Sequence, residues 1–155
     1  MTAQPFRIDE RVRWSDVDAA GIIFYGAYVR FFELAETELF RAAGLTYGSI
    51  FDEYDMLLPR ALVHAEFHYP ARLDDVLKVA AYVSRVGNKS ITMQFDVMLL
   101  GADRLTAEGH LVLVSTDRVR LESRVLPETF VRHLEPFTLS IDEARRQLGW
   151  VGSDR

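Results

Sequence analysis

The chain contains 155 residues, the length of one domain, and 49% of them are hydrophobic, as in ordinary globular proteins. Its formal net charge of −5 comes without a dense cluster of Lys and Arg, so nucleic acid is not an expected partner. The absence of cysteine excludes disulfides, a thiol nucleophile and a cysteine-ligated zinc site. No segment resembles a signal peptide or reaches the roughly 20 apolar residues that span a bilayer. We therefore expect a cytoplasmic protein that does not bind membranes.

The first predicted element is a strand over residues 6–14. Apolar and charged side chains alternate along it, and Trp14 belongs to the apolar series. A helix is predicted over residues 27–43, because its apolar residues recur with helical spacing on one face. Gly44 follows and can end this helix in a left-handed C-terminal turn.

Four strands are predicted after the helix, over residues 58–69, 76–86, 91–100 and 105–117. Short turns separate them at residues 70–75, 87–90 and 101–104. One long helix followed by consecutive strands favours an α+β fold with a mostly antiparallel sheet.

The C-terminal part of the sequence predicts two short helices, over residues 127–134 and 140–148. We expect one domain over residues 1–136, with residues 137–155 forming a peripheral helix and tail of the same domain.

The stretch WSDVDAAGIIFYG, residues 14–26, places two carboxylates directly before the most apolar loop of the chain. An Asp at such a place usually caps a helix or makes a turn, but Asp18 lies too far upstream for a simple cap. The apolar run that follows can exclude water from the space in front of Asp18, which makes a carboxylate a stronger base or nucleophile. The helix that begins near Gly26 supplies free N–H groups for a developing oxyanion. The stretch therefore predicts an acyl-transfer site.

These residues resemble a known family. Trp14, Asp16, Asp18 and Gly21, followed by Ile-Ile-Phe-Tyr and a helix, are similar to the signature of the 4-hydroxybenzoyl-CoA thioesterase-like hotdog proteins. The stretch YPARLDD at residues 69–75 resembles their turn before the next strand. The resemblance covers about residues 6–133. It implies a hotdog fold, in which a curved antiparallel sheet of about five strands wraps a long central helix.

The resemblance also implies a homo-oligomer, a dimer or a homotetramer, with active sites at the subunit interface, and hydrolysis of an acyl-CoA thioester. It makes Asp18 the catalytic carboxylate and the backbone N–H of Tyr25 the group that polarises the thioester carbonyl, while Asp16 orients the loop. Tyr25 stands where some members carry His, which resembles the aromatic-acyl members slightly more. The candidate substrate-binding residues are Gly21, Phe24, Tyr28, Arg85, Lys89 and Ser90.

Other features of the sequence carry weaker predictions. His64 and His68 share a strand face with Glu66, but about 13 Å of strand separates the two histidines, so we expect no metal site there. We also expect no redox cofactor. Glu33 and Glu36 could reach the active cavity from the helix, although a solvated or interface role is expected for such residues.

Several alternatives stay open at this point. A hotdog domain can bind acyl-CoA without cleaving it, or act on an acyl carrier protein. A hotdog dehydratase would carry His on the loop before the helix, where this chain has none. The acyl group is aromatic or a short-to-medium aliphatic chain, and Asp18 acts as nucleophile or as general base.

Overall fold

The computed structural model describes residues 2–102 and 104–150. Position 103 of the predicted turn at 101–104 and the last five residues of the predicted tail lie outside the described residues. The strands are β1 (Phe6–Arg11), β2 (Met56–Leu57), β3 (Arg60–Phe67), β4 (Val76–Val86), β5 (Ser90–Leu99), β6 (Leu105–Val114) and β7 (Thr116–Asp117). The helices are α1 (Ala27–Ala42), α2 (Tyr47–Tyr54), α3 (Glu128–Leu134) and α4 (Ile141–Leu148).

Five strands form one antiparallel sheet in the order β1-β4-β5-β6-β3, and β2 pairs separately with β7. The predicted α+β fold with an antiparallel sheet of about five strands is confirmed. Helix α1 lies on one face of the sheet, here called the inner face, because its apolar stripe needs a hydrophobic partner. Phe32 of α1 stacks on Phe95 of β5 with 4.7 Å between ring centroids, and both side chains are fully buried.

Gly109 of β6 allows α1 to approach the sheet closely. A Cβ atom at this position would lie 2.7 Å from the Phe32 ring and closer still to the carbonyl oxygen of His64. Only a residue without a side chain fits between the helix and the edge of the sheet.

The predicted strand over residues 6–14 is too long at its C-terminal end. β1 ends at Arg11, and Trp14 begins a single 3-10 turn that ends at Asp16. The side chain of Trp14 is 80% exposed instead of joining the apolar face of the strand. The turn forms because the backbone N–H of Arg13 donates to the carboxylate of Asp16 at 2.8 Å, which closes the chain on itself.

Strand β3 lies at the edge of the sheet, and its apolar side is incompletely covered. Val63 and Phe67 belong to the inner face, yet they are 53% and 50% exposed. The predicted alternation of apolar and polar side chains is therefore present, but a single copy of the chain leaves these apolar side chains exposed. An exposed apolar edge strand is a surface that another chain can cover.

The C-terminal helix α4 packs on the opposite face of the sheet, here called the outer face. Arg145 of α4 donates to both carboxylate oxygens of Asp96, at 2.8 and 3.2 Å, and Asp96 is fully buried. The hydroxyl of Tyr82 donates to the same carboxylate at 2.7 Å. The segment that we expected to be peripheral is thus bound to the sheet through a buried ion pair. No helix among the described residues is long and apolar enough to cross a membrane.

Candidate active site

Asp16 holds the loop that precedes α1 in place. It is 2% exposed, and its carboxylate accepts from Nε and Nη2 of Arg30 at 2.9 and 2.6 Å. Its backbone carbonyl accepts from the N–H of Phe24 at 2.7 Å. A charged bidentate pair of this kind fixes geometry as well as adding energy. Asp16 therefore joins the start of the loop, its end and the first turns of α1.

Asp18 lies at the tip of this loop. Its Oδ1 atom accepts from the N–H of Ala20 at 2.8 Å, the side-chain turn that Asp commonly makes. Gly21 follows with a φ of 77°, a conformation that glycine adopts without strain. Among the described residues, the Oδ2 atom of Asp18 has no hydrogen-bond partner. One carboxylate oxygen thus shapes the loop, and the other is available to a ligand.

The prediction that the apolar run removes water from Asp18 is wrong for a single copy. Asp18 is exposed, because Ile23 turns into the core while Phe24 and Tyr25 point away from it, 43% and 69% exposed. The two aromatic rings contact each other with 4.6 Å between centroids. Any desolvation of Asp18 must come from a substrate or from a second copy of the chain.

Two N–H groups are free at the entry to α1. The N–H of Ala27 donates to the carbonyl of Phe24 at 2.9 Å, and that of Tyr28 to the carbonyl of Tyr25 at 3.3 Å. Within the part of the chain that the structure describes, the N–H groups of Tyr25 and Gly26 have no acceptor. They stand at the positive end of a 16-residue helix, where a developing negative charge is stabilised.

Asp18 and Tyr25 both line a cavity of about 430 Å³. The N–H of Ile23 donates to the carbonyl of Ala71 at 2.8 Å, which connects the loop that carries Asp18 to the YPARLDD turn. Tyr28 is 4% exposed, and burial raises the pKa of its hydroxyl to about 12, so the group stays protonated as a donor. The lining residues are Asp18, Ile22, Ile23, Tyr25, Tyr28, Phe67, His68, Tyr69, Pro70 and Ala71.

The structure brings together only some of the predicted site residues. Asp18, Tyr25 and Tyr28 line the cavity, whereas Gly21 shapes the loop beside it and the ring of Phe24 turns against Tyr25. Phe24 is therefore not a lining residue in one copy, contrary to the prediction.

Arg85, Lys89 and Ser90 lie elsewhere. Ser90 pairs with Val114, whereas the cavity residue Phe67 is in register with Val97 of β5 through Ala107. Seven residues of strand separate Ser90 from Val97, about 23 Å at the usual rise. Within one copy these three residues are therefore remote from the cavity, because the strands between the turn and the cavity are long, and their role in substrate binding stays a prediction.

A second cavity, of about 470 Å³, opens between α1, α2, β3 and β6. Glu36 lies in its wall and is only 1% exposed, so the solvated role expected for it is wrong. Nη2 of Arg60 donates to Glu36 at 2.5 Å and to the hydroxyl of Tyr47 at 3.1 Å. Burial raises the pKa of the Glu36 carboxyl, although Arg60 opposes this effect. The burial of Glu36 was predictable from the sequence, because Glu36 is four residues from both Phe32 and Phe40 on the apolar face of the helix.

The His64, Glu66 and His68 side chains belong to the outer face. His64 lies 3.4 Å from Glu66, and His68 lies 3.1 Å from Glu108. Over residues 2–102 and 104–150, no group of three or more His, Asp or Glu is arranged to hold a metal ion.

Comparison with known proteins identifies the family. Residues 12–134 match the profile of the thioesterase-like superfamily. The chain belongs to this superfamily. It is 29% identical over 132 residues to the acyl-CoA thioester hydrolase YbgC of Escherichia coli O6:H1. This match covers 84% of this chain and 96% of the relative. It is also 29% identical over 145 residues to a 1,4-dihydroxy-2-naphthoyl-CoA hydrolase of Synechococcus sp. strain CC9605, covering 90% of this chain and 96% of that protein.

Solved structures confirm the hotdog fold. A mutant 4-hydroxybenzoyl-CoA thioesterase in complex with 4-hydroxybenzoyl-CoA superposes with a TM-score of 0.78 at 22% identity, over 85% of this chain and 99% of that one. Slr0204, a 1,4-dihydroxy-2-naphthoyl-CoA thioesterase from Synechocystis, superposes with a TM-score of 0.77 at 18% identity, over 84% and 95% of the two chains. The predicted resemblance and the predicted fold are both confirmed.

Proposed function

We propose that the protein is an acyl-CoA thioesterase that hydrolyses an aromatic or short-to-medium acyl-CoA. One observation carries the proposal. Asp18 and Tyr25 line the same cavity at the entry to α1, and among the described residues the Oδ2 atom of Asp18 and the backbone N–H of Tyr25 have no hydrogen-bond partner. A carboxylate and an oxyanion donor on one cavity are the two parts that acyl transfer requires. Curated relatives named for thioester hydrolysis, which match nearly the whole chain, support the same reaction.

The mechanism begins with the thioester carbonyl oxygen accepting from the N–H of Tyr25. Asp18 then either attacks the carbonyl carbon or takes a proton from a water molecule that attacks it. In both routes negative charge builds on the carbonyl oxygen, where the N–H group and the dipole of α1 stabilise it. The C–S bond breaks, the CoA sulfur leaves and is protonated, and one water molecule is consumed to give the carboxylic acid. Because these steps need no metal and no electron transfer, we propose no cofactor.

We further propose that the protein is a homo-oligomer, a dimer or a pair of dimers, joined through the edge of β3. The exposed inner-face residues Val63 and Phe67 offer the apolar surface for this contact. A second copy there would also remove water from Asp18. It would bring its own turn at 87–90 to the cavity side, which would give Arg85, Lys89 and Ser90 their predicted role toward CoA. We also propose a cytoplasmic location.

The test is a thiol-release assay over a panel of aromatic and aliphatic acyl-CoA esters, with the same acyl groups on acyl carrier protein. We expect release from at least one aromatic or short-to-medium acyl-CoA, and weaker release from the carrier protein. If the folded protein binds acyl-CoA tightly and releases no thiol from any ester, the hydrolase proposal is wrong and the protein is an acyl-CoA-binding module.

A further inference from the structure

The outer face of the sheet carries a polar cluster that the proposed mechanism does not use. Arg145 of α4 lies between two carboxylates, 2.8 Å from Asp96 and 3.4 Å from Glu108. The Glu108 carboxylate in turn lies 3.1 Å from Nε2 of His68. An ionised carboxylate can only accept, so the imidazole N–H is the donor of this hydrogen bond. These contacts form a continuous chain from α4 to the residue that follows β3.

Most of this cluster is shielded from water. Asp96 is fully buried, and less than a fifth of each of the side chains of Arg145, Glu108 and His68 is exposed. Buried ion pairs seldom stabilise a fold more than apolar residues of the same size would. Charged hydrogen bonds do, however, hold their partners in one defined geometry. The contribution expected of this cluster is therefore a fixed position for His68.

His68 lies where the sheet ends and the wall of the cavity at Asp18 begins. The backbone N–H groups of His68 and Tyr69 both donate to the carbonyl of Thr106, at 2.9 and 3.1 Å. Two residues opposite one acceptor form a bulge, which bends a strand and is common beside active sites. Pro70 follows and has no N–H to donate to the sheet. The hydrogen bond of the His68 ring is therefore made at the point where the chain leaves the sheet.

The wall that starts at this point is connected to the loop that carries Asp18. Residues 67–71 and Asp18 line the same cavity. At the far end of the wall, the carbonyl of Ala71 accepts from the N–H of Ile23 at 2.8 Å. A displacement of His68 would therefore pass along residues 68–71 and reach the loop of Asp18 through this hydrogen bond.

We propose that α4 positions the cavity at Asp18 from the opposite face of the sheet, through Arg145, Glu108 and His68. This inference rests on the proposed thioesterase function and assigns three positioning residues to the same site. Arg145 holds Glu108, and Glu108 holds His68, which keeps residues 67–71 against the loop. Such positioning affects the rate because a displacement of about 1 Å at the reacting atoms can cost about a hundredfold.

The first test measures kcat and KM for the best acyl-CoA ester on variants of His68. We expect His68→Leu to lower kcat by about tenfold and to change KM by less than about threefold, because the placement of Asp18 changes while the cavity remains. The amide N–H of His68→Gln can donate to Glu108, so this variant should recover most of the rate. The matched control is His64→Leu, which removes a His–Glu66 contact of the same face away from the cavity and should keep kcat.

Thermal unfolding of each variant is recorded, and the rates are measured well below the unfolding temperature. An unchanged kcat in His68→Leu, or equal losses in His68→Leu and His68→Gln, overturns the inference and leaves the thioesterase function intact. Should His68→Leu not fold, His68→Asn, whose side chain is too short to reach Glu108, must lower kcat in its place. If the wild type hydrolyses no ester, the proposed function fails, and amide exchange decides whether His68 positions the loop.

The second test asks whether α4 acts through His68. Asp96→Asn/Arg145→Met removes both charges of the ion pair and should lower kcat in an otherwise wild-type chain. Combined with His68→Leu, it should lower kcat no further than about tenfold in total, because two changes on one path of contacts are not additive. A combined loss equal to the product of the two separate losses would mean that α4 and His68 act independently. That result, or a pair variant with the wild-type kcat, overturns the role of α4.

Amide hydrogen exchange measures the contact between wall and loop without any substrate. The N–H of Ile23 is bonded to the wall at Ala71, and the N–H of Phe24 is bonded to Asp16 at 2.7 Å and serves as the internal reference. We expect His68→Leu to speed exchange at Ile23 by about tenfold and to change exchange at Phe24 little, as a local opening does. Equal acceleration at both amides would indicate a general loss of stability. Either that result or unchanged exchange at Ile23 overturns the inference.

Discussion

Asp16 does not line the cavity at Asp18, yet its contacts determine where Asp18 and Tyr25 lie. Asp16→Asn keeps the shape of the side chain but removes the charge that Arg30 pairs with in a buried position. We expect the free energy of unfolding to fall by about 2–4 kcal/mol, because a buried pair that loses one charge leaves the other poorly compensated. Thiol release should fall as well, since the loop loses its anchor. Chemical denaturation and the thiol-release assay measure the two effects.

Glu10→Gln is the matched control for Asp16→Asn. The Glu10 carboxylate pairs with Arg13 at 3.2 Å, and the Arg13 side chain is 68% exposed. An exposed pair of this kind contributes about 1 kcal/mol or less. Equal, small losses of stability in both variants would contradict the anchoring role of Asp16.

The buried carboxyl of Glu36 predicts that the stability of the protein depends on pH. Burial raises the pKa of its carboxyl, so the folded state favours the neutral acid more than the unfolded state does. The stability that Glu36 contributes is therefore complete below its ordinary pKa of about 4.3 and is lost as the pH rises through the folded pKa. We expect the stability of Glu36→Gln, relative to wild type, to increase as the pH is raised from about 4 to 7.

The exposed Glu38 serves as the control for this titration, and Glu38→Gln should show a much weaker trend. Unfolding curves recorded over the same pH series measure both variants. A relative stability of Glu36→Gln that falls with rising pH would mean that the pairing with Arg60 outweighs burial.

Sequence reasoning could propose residues whose suggested role is local, and it missed contacts that depend on the tertiary structure. Asp18 could be proposed because a loop carboxylate and a helix entry are adjacent in the chain, and Tyr25 was proposed from the family resemblance. The partners of Asp16 and Glu36 could not, because Arg30 is 14 residues from the first and Arg60 is 24 residues from the second. Only the folded chain reveals these pairs.

At the scale of the secondary-structure elements, the contact between α4 and the sheet is expected to contribute to stability. Arg145→Met would leave the fully buried Asp96 without its bidentate partner. Removing one member of a buried pair typically costs about 3–5 kcal/mol, so we expect a loss of that size in the free energy of unfolding. The double variant Asp96→Asn/Arg145→Met should recover part of it, because no charge then stays unpaired.

Arg146→Met, one residue further along α4, is the matched control. Arg146 is exposed and pairs with Glu143 within the same helix, so its loss should cost less than about 1 kcal/mol. An Arg145→Met variant as stable as this control would mean that α4 does not hold the sheet.

Elements with strong periodicity were predictable, and their surroundings were not. The apolar stripe of α1 and the alternation of the long strands indicated both type and position. The helix α2 was not predicted, although Thr46 and Ser49 form a reciprocal cap at its start. The edge position of β3 was also not predictable. The alternation of apolar and polar residues indicates which side chains share a face of the sheet, but it does not indicate which strands are neighbours.

At the scale of the whole molecule, the exposed edge of β3 predicts association. Val63→Asp places a charge in the proposed interface, so we expect the oligomer to dissociate toward the 17.7 kDa monomer and thiol release to be largely lost. Val119→Asp is the control, because Val119 is 90% exposed and lies outside the five-stranded sheet. Light scattering and the thiol-release assay measure the two properties. A monomeric wild type, or a fully active monomeric variant, would contradict a site shared between copies.

The most direct test of the central claim separates chemistry from binding at Asp18. The rate of thiol release and the dissociation constant for the best acyl-CoA ester are measured on wild type, on Asp18→Asn and on Asp9→Asn, an exposed carboxylate of β1. We predict that Asp18→Asn lowers the rate by about a hundredfold or more while the ester still binds, as expected for a group that acts on the reacting atoms. Asp9→Asn should match the wild type. An Asp18→Asn variant that hydrolyses the ester at the wild-type rate would contradict the account.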